Sequence, residues 1–312
     1  MATVVAGCIA AQFAGVGLPR YAYPMLLPTM RADMGLSYFE SGLVATGNFV
    51  GFMLAAFGGG VIAVRIGPRR TILAALVLGT GAMLASGVAP DYIGVLVAQT
   101  VVGLGAGAIP PTVIGLASQW IGVERRGLVF GAVLSAMGLA LLVSGVAMPA
   151  LLAVAGWREG WLALGGVGVL ALVAGFVTLR ESPAAYALGP VNWRAVYGAW
   201  RVWYWCLLGL ATGASNAVYT TFFAAWLVGE RGVSVATAGQ LWAAAGVASV
   251  ASGVTWGALA DRIGLGRAAG LIFATQTLAI ASPSARPSGR RLPGARPTCS
   301  GRWGRRISAR RP

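Results

Sequence analysis

The chain has 312 residues, 57% of them apolar and only 10% charged, with 23 basic against 8 acidic side chains and a formal net charge of +15. Soluble domains carry roughly a quarter charged residues, so a water-soluble globule is excluded. Histidine and lysine are absent, which removes a lysine-bearing phosphate loop and the histidine-containing zinc sites. Cys8, Cys206 and Cys299 lie far apart and form no motif. With no Cys pair and no buried acid pair, general acid-base or metal chemistry has no carrier, and neither an enzyme nor a cofactor is expected.

In chain order, nine uncharged stretches approach or exceed the roughly 20 residues that cross a bilayer: 1–19, 41–64, 71–90, 92–123, 127–157, 160–179, 202–229, 232–260 and 268–285. The first lacks a basic n-region and a convincing cleavage site, so it reads as helix 1 and not as a signal peptide. Among the 47 glycines, Gly103, Gly105 and Gly107 in the fourth stretch and Gly253 and Gly257 in the eighth suit close approach of helix backbones in lipid. GC-rich coding accounts for part of the count. Trp200, Trp203, Tyr204 and Trp205 read as an aromatic belt at the start of helix 7.

Alternating these stretches across a membrane with the N-terminus inside puts Arg65, Arg69, Arg70, Arg125, Arg126, Arg180, Arg194, Arg201, Arg262 and Arg267 on the cytoplasmic side, and only Arg31, Arg158 and Arg231 outside. The positive-inside rule favours that orientation. Residues 282–312 break the pattern, with nine arginines, five prolines and no acid. Such a tail suits nucleic acid or anionic lipid, but it would lie outside if stretch nine crosses, so no nucleic-acid partner is expected. A frameshift near codon 281 is the expectation, tested by looking for a helix-coding frame downstream in the gene.

One internal repeat stands out. Gly60-Val61-Ile62-Ala63-Val64-Arg65-Ile66-Gly67 and Gly257-Ala258-Leu259-Ala260-Asp261-Arg262-Ile263-Gly264 agree at five of eight positions, 197 residues apart. That is the spacing of a six-helix half repeated once. The second copy, with the basic pair Arg69 and Arg70 after the first, resembles the loop signature G-x-L-A-D-R-x-G-R-R of the major facilitator superfamily. The first copy departs from it at Val64, where the acid belongs, and at Pro68. Pro28-Thr29-Met30-Arg31-Ala32-Asp33-Met34-Gly35-Leu36-Ser37 is similar to the family's helix 1 exit, and Gly156-Trp157-Arg158 with Trp161 to its turn between helices 5 and 6. The segment Arg20-Tyr21-Ala22-Tyr23-Pro24 through Leu27-Pro28 resembles more loosely the YbfB-like branch, with cyanate-permease-like and monocarboxylate-type branches as alternatives. The helix 5 antiporter string is faint in Ser144 to Pro149, and Gln99 stands where helix 4 often carries an arginine.

The resemblance implies an all-α membrane protein with an MFS-type bundle: a six-helix N-terminal half at 1–180, a central cytoplasmic loop at 181–201, helices 7, 8 and part of 9 at 202–281, and a disordered basic tail at 282–312. It implies transport of a small solute by a monomer in a bacterial inner membrane, by alternating access, with gating at Gly60, Arg65, Gly67, Arg69, Arg70, Gly257, Asp261, Arg262 and Gly264. The alternative is an inactive truncated remnant.

Intramembrane ionisable residues mark function, and Arg20 is the one near the middle of an apolar stretch. It lies between Gly15, Gly17, Pro19 and Pro24, where a broken helix with unwound backbone is expected to line a cavity. A guanidinium there offers a bidentate fork to an anion; the alternative is an arginine snorkelling to the interface. Asn48, Gln99, Asn216, Tyr219, Thr220 and Gln240 form a second tier of substrate-binding candidates, each of which reads first as an interhelical hydrogen bond. Tyr21, Tyr23 and Trp242 read as packing. No carboxylate lies deep in a stretch; Glu40, with Asp33 beside it, is the nearest candidate for proton coupling.

Overall fold

The structure, a computed structural model, describes residues 2–122, 126–181, 198–204, 206–207, 213, 223, 226–228 and 231–281. The expected sites Asn216, Tyr219 and Thr220 and the tail 282–312 lie outside the described residues. The chain forms two compact units, Met1–Ala268 and Ala269–Pro312.

Helix 1 runs without interruption from Ala2 to Met34. It consists of α1 (Ala2–Gln12), a π-helical turn at Phe13–Gly17, and α2 (Leu18–Met34). This corrects the expectation of unwound backbone around Arg20. Pro19 falls where the π turn joins α2, and Pro24 and Pro28 lie inside α2, so each withholds an N–H from the continuous run. The π turn, in which Leu18 N–H reaches back to the Phe13 carbonyl, takes up the misfit within a continuous helix.

The helices that follow are α3 (Tyr38–Ile66), α4 (Pro68–Val88), α5 (Tyr92–Trp120), α6 (Arg126–Leu152), α7 (Trp157–Thr178), α8 (Val235–Ile263) and α9 (Leu265–Ala281). Seven helices among the described residues are long and apolar enough to cross a membrane: helix 1 and α3 to α8. Local chemistry sets their ends. Ser37 Oγ accepts from Glu40 N–H while Glu40 Oε2 accepts from Ser37 N–H, a reciprocal capping box that starts α3. Asp91 caps α5 through Gly94 N–H.

The burial pattern suits lipid. Large apolar side chains such as Leu54, Phe57, Leu170 and Val177 face outward, while Gln12, Gln99, Thr80 and Ser144 are buried among the helices. One apolar cluster gathers around Leu26, Met30, Trp161 and Trp242, a second around Cys8, Ile72, Ile109 and Leu116.

The repeat extends well beyond its eight-residue core. At the same offset of 197, Gly35 and Gly232 share φ of 64°, Ser37 and Ser234 cap 29-residue helices, and Gly67 and Gly264 close them with φ of 94° and 86° and ψ of 145° and 149°. Positive φ with extended ψ is essentially restricted to glycine, which explains why both copies keep it.

Small residues fix the helix contacts. Gly103 and Gly107 of α5 lie against the backbone of α3 at Asn48 and Phe52, while Gly105 faces α4 at Ala75 and Gly79. Antiparallel α6 and α8 meet along a seam in which Gly127, Gly131, Gly138 and Gly145 of α6 face Gly257, Gly253, Val250 and Ala243 of α8. The approach is close enough for Ser135 Oγ to donate to the Val250 carbonyl at 3.0 Å. Such seams hold membrane helices by backbone packing, since lipid supplies no hydrophobic drive between them.

Candidate functional site

Helix 1, α3 and α5 enclose a cavity of about 40 Å³ whose wall includes Arg20, Tyr23, Asn48, Phe49, Phe52 and Gln99, room for roughly three water-sized groups. Arg20 is half-buried, between two prolines on α2. Its guanidinium carbon lies 5.5 Å from the centroid of the Phe49 ring, within cation–π range. The rest of the wall is largely apolar, with Val16, Pro19, Pro24, Ala45, Val102 and Ala106. Arg20 is the one ionised side chain among these lining residues, and none is a carboxylate.

The neutral polar groups of this wall already have partners. Asn48 Nδ2 donates to the Gln99 carbonyl at 2.9 Å, tying α3 to α5. Gln99, 1% exposed, donates through Nε2 to Ser86 Oγ at 2.9 Å and so ties α5 to α4. Tyr23 OH donates to the Ser41 carbonyl at 3.1 Å. Of the expected binding residues, Arg20, Asn48 and Gln99 thus come together at one cavity. Gln240 does not join them: it is exposed on α8. Asn216 and Tyr219 lie outside the described residues. Phe49 and Phe52 carried no sequence signal, because in an apolar helix a cavity-facing phenylalanine looks like any lipid-facing one.

Both ends of the bundle carry polar ties. At the end holding the paired glycine turns, both Asp261 oxygens cap α6: Oδ1 accepts from Gly127 N–H and Oδ2 from Leu128 N–H, each at 2.8 Å. A carboxylate there also meets the positive end of the α6 dipole. Arg69 closes α7 from the opposite pole, with Nε donating to the Leu179 carbonyl at 2.8 Å and an Nη to Phe176 at 3.1 Å. Val64 offers no acceptor and is exposed; Arg65, Arg70 and Arg262 are exposed as well. A Cβ on Gly60 would meet open space, whereas one on Gly257 would strike the Gly127 carbonyl.

At the other end, Trp157 Nε1 donates to Asp33 Oδ2 at 2.9 Å, Arg158 approaches the same oxygen at 3.7 Å, and Arg158 donates to the Ala89 carbonyl at 3.1 Å. Helix 1, α7 and the connection between α4 and α5 are joined there. Asp33 is held in this tie and Glu40 in the α3 cap, so neither reaches the cavity. Trp242 of α8 is buried, stacks on Phe223 at 5.1 Å and meets Tyr21 edge-on at 6.0 Å. It acts as packing, as does Pro149, which sits against Gly239.

Comparison with known proteins agrees with the fold. A solved bacterial homologue of the human lysosomal transporter Spinster, in an inward-facing and occupied conformation, superposes with a TM-score of 0.63 at 18% identity, covering 92% of this chain and 62% of that one. The protein named probable sulfoacetate transporter in Cupriavidus necator is 27% identical over 259 residues, 76% of this chain and 59% of its own length. The hexuronate transporter of Bacillus subtilis is 24% identical over 53% of this chain and 39% of its own, and the 4-hydroxybenzoate transporter of Pseudomonas aeruginosa 28% identical over 54% and 37%. The chain therefore spans between 37% and 62% of the length of these proteins. With a continuous helix 1, a turn-and-helix unit repeated at a fixed offset, and a match of residues 9–288 to the model of that family, this multi-pass membrane protein belongs to the Major Facilitator Superfamily.

Proposed function

We propose that this chain takes part in transport of a small organic anion by alternating access, and that Arg20 receives the anionic group. One observation carries the reading: the cavity among helix 1, α3 and α5 presents one guanidinium and no carboxylate among its lining residues. A guanidinium fork matches carboxylate or sulfonate oxygens. The neutral polar groups around it have partners, and a cavity of about 40 Å³ admits the anionic head alone, so alternating access has to widen the mostly apolar wall for the body of the solute. Small organic acids with compact or apolar bodies suit such a site better than polyhydroxylated ones. The three bacterial relatives above are named for organic anions, as a probable sulfoacetate transporter, a hexuronate transporter and a 4-hydroxybenzoate transporter, the first and third for acids with compact or aromatic bodies.

The distribution of arginines supports an N-terminus in the cytoplasm of a bacterial inner membrane. Arg65, Arg69, Arg70, Arg126, Arg180 and Arg262 belong to the end with the glycine turns, Arg31 and Arg158 to the other. On that reading the Asp261 cap on α6 is a cytoplasmic gate latch, and the Asp33 tie its counterpart outside.

The test is uptake of radiolabelled 4-hydroxybenzoate, sulfoacetate and a hexuronate by the purified chain in vesicles, with Arg20→Gln and Arg20→Lys beside the wild type. A charge-assisted pair contributes about 1.5–3 kcal/mol, so Arg20→Gln is expected to lower uptake roughly 10- to 150-fold, while Arg20→Lys keeps part of it. Wild-type kinetics in Arg20→Gln would remove the role given to Arg20. Absence of uptake of any acid by the wild type would favour the inactive-remnant alternative.

A further inference from the structure

At the end of the bundle that carries the glycine turns, the start of α4 and the end of α7 border a shallow cleft of about 360 Å³ lined by Arg69, Arg70, Arg180, Glu181, Phe176 and Val177, among others. Its charges have different employments. Arg69 is committed to the last carbonyls of α7. Glu181 lies against Gly67 and is also engaged. Arg70 and Arg180 are exposed, and neither has a hydrogen-bond or ion-pair partner among the described residues. Three arginines against one glutamate leave the cleft positive even with Glu181 ionised.

The opposite side of the cleft is apolar and outward-facing. Phe176 is 54% and Val177 71% exposed, and the strip continues along α7 through Val173, Leu170 and Val169. An uncommitted pair of guanidinia at the head of a lipid-facing apolar strip is the complement of an amphiphile with an anionic head, not of a free anion. Basic pockets between membrane helices recruit anionic headgroups in this way, and an arginine fork suits phosphate oxygens.

We infer that this cleft is a binding site for one anionic phospholipid, its phosphate held by Arg70 and Arg180 and its acyl chains lying along the exposed strip of α7. The site is peripheral to the Arg20 cavity and does not depend on the transport reading. Each arginine near an anionic headgroup strengthens binding by about fivefold, so the pair together gives roughly 25-fold.

The test is native mass spectrometry of the full chain in detergent, titrated with phosphatidylglycerol, phosphatidylcholine or inorganic phosphate. The wild type is compared with Arg70→Gln/Arg180→Gln and with Arg126→Gln/Arg267→Gln, which removes two exposed arginines not among the cleft residues named above. The expected result is one saturable phosphatidylglycerol per chain, weakened roughly 25-fold in the first variant and less than about twofold in the second. Phosphatidylcholine should bind no better than that first variant binds phosphatidylglycerol, and phosphate should not compete. Val177→Glu, which places a charge on the strip and leaves both arginines, is expected to abolish the saturable lipid. Equal weakening in both double variants would show diffuse charge and overturn the site, as would competition by phosphate alone or undiminished binding in Arg70→Gln/Arg180→Gln.

Discussion

Replacing Asp261 with Ala removes both acceptors that hold the start of α6 to the end of α8. Asp261 makes two hydrogen bonds of 2.8 Å to Gly127 and Leu128 N–H, and its charge opposes the helix dipole. Loss of a carboxylate cap costs about 0.5–2 kcal/mol, and the dipole adds about 0.3–1 kcal/mol at exposed sites. Asp261 is exposed, so the lower part of the combined range, about 1–1.5 kcal/mol, is the working figure. Every 1.4 kcal/mol is tenfold in an opening equilibrium. Amide hydrogen exchange at residues 127–130 is therefore expected to quicken by roughly fivefold to tenfold in Asp261→Ala, with the middle of α6 unchanged. Asp261→Asn, which keeps one acceptor without the charge, should fall between. Exchange over 127–130 indistinguishable from wild type in Asp261→Ala would refute the reasoning, because nothing else in the described structure caps those two amides.

Gly67→Ala and Gly264→Ala both force a side chain into a glycine-only backbone region, at about 1–3 kcal/mol. The first should be worse, since its Cβ would meet the Glu181 carboxylate while that of Gly264 meets nothing within 4 Å; thermal unfolding in detergent checks the order. Gln99→Leu deletes the donor to Ser86, and interhelical hydrogen bonds average about 0.6 kcal/mol in membranes, so a melting shift of only a few degrees is expected. Trp157→Phe keeps the ring in its buried place but removes the donor to Asp33 Oδ2 and leaves only Arg158 beside it; amide hydrogen exchange at the end of helix 1, residues 31–35, is expected to quicken severalfold.

How far the sequence could be read depends on which interactions are local. Uncharged runs mark all seven spanning helices, stretch 1–19 among them as helix 1, because bilayer thickness acts on length and polarity alone. What differs in helix 1 is its continuity: Gly15, Gly17, Pro19 and Pro24 around Arg20 suggest a broken helix, and the run is unbroken from Ala2 to Met34. In the folded bundle the π turn at Phe13–Gly17 absorbs the misfit, and close packing at Gly15 against Ile109 and at Gly17 against Ala140 holds the helix in place. The start of α3 was legible in Ser37-Tyr38-Phe39-Glu40, a capping box in plain sequence. The pairing of Gln99 with Ser86, or of Trp157 with Asp33, was not, because no single-chain pattern says which polar side chains on different helices will meet.

The repeat carries the argument furthest, since it shows what the two halves share and where they part. Offset by 197 residues, the glycine turns adopt the same backbone, yet one presents Asp261 and the other Val64. The shape of the turn therefore follows from its glycine and needs no acid. What the acid adds is a tie between elements: Asp261 reaches α6, whereas Val64 offers no acceptor and is 54% exposed. Arg69 belongs only to the first copy: the matching position 266 is a glycine, whereas Arg70 is matched by Arg267, exposed as it is. The two turns have thus divided the work, one binding the end of its neighbour's helix through an arginine on carbonyls, the other through a carboxylate on amides. Opposite helix poles call for opposite charges, so exchanging Val64 for Asp should not create a second latch where Arg69 already serves a C-terminal pole.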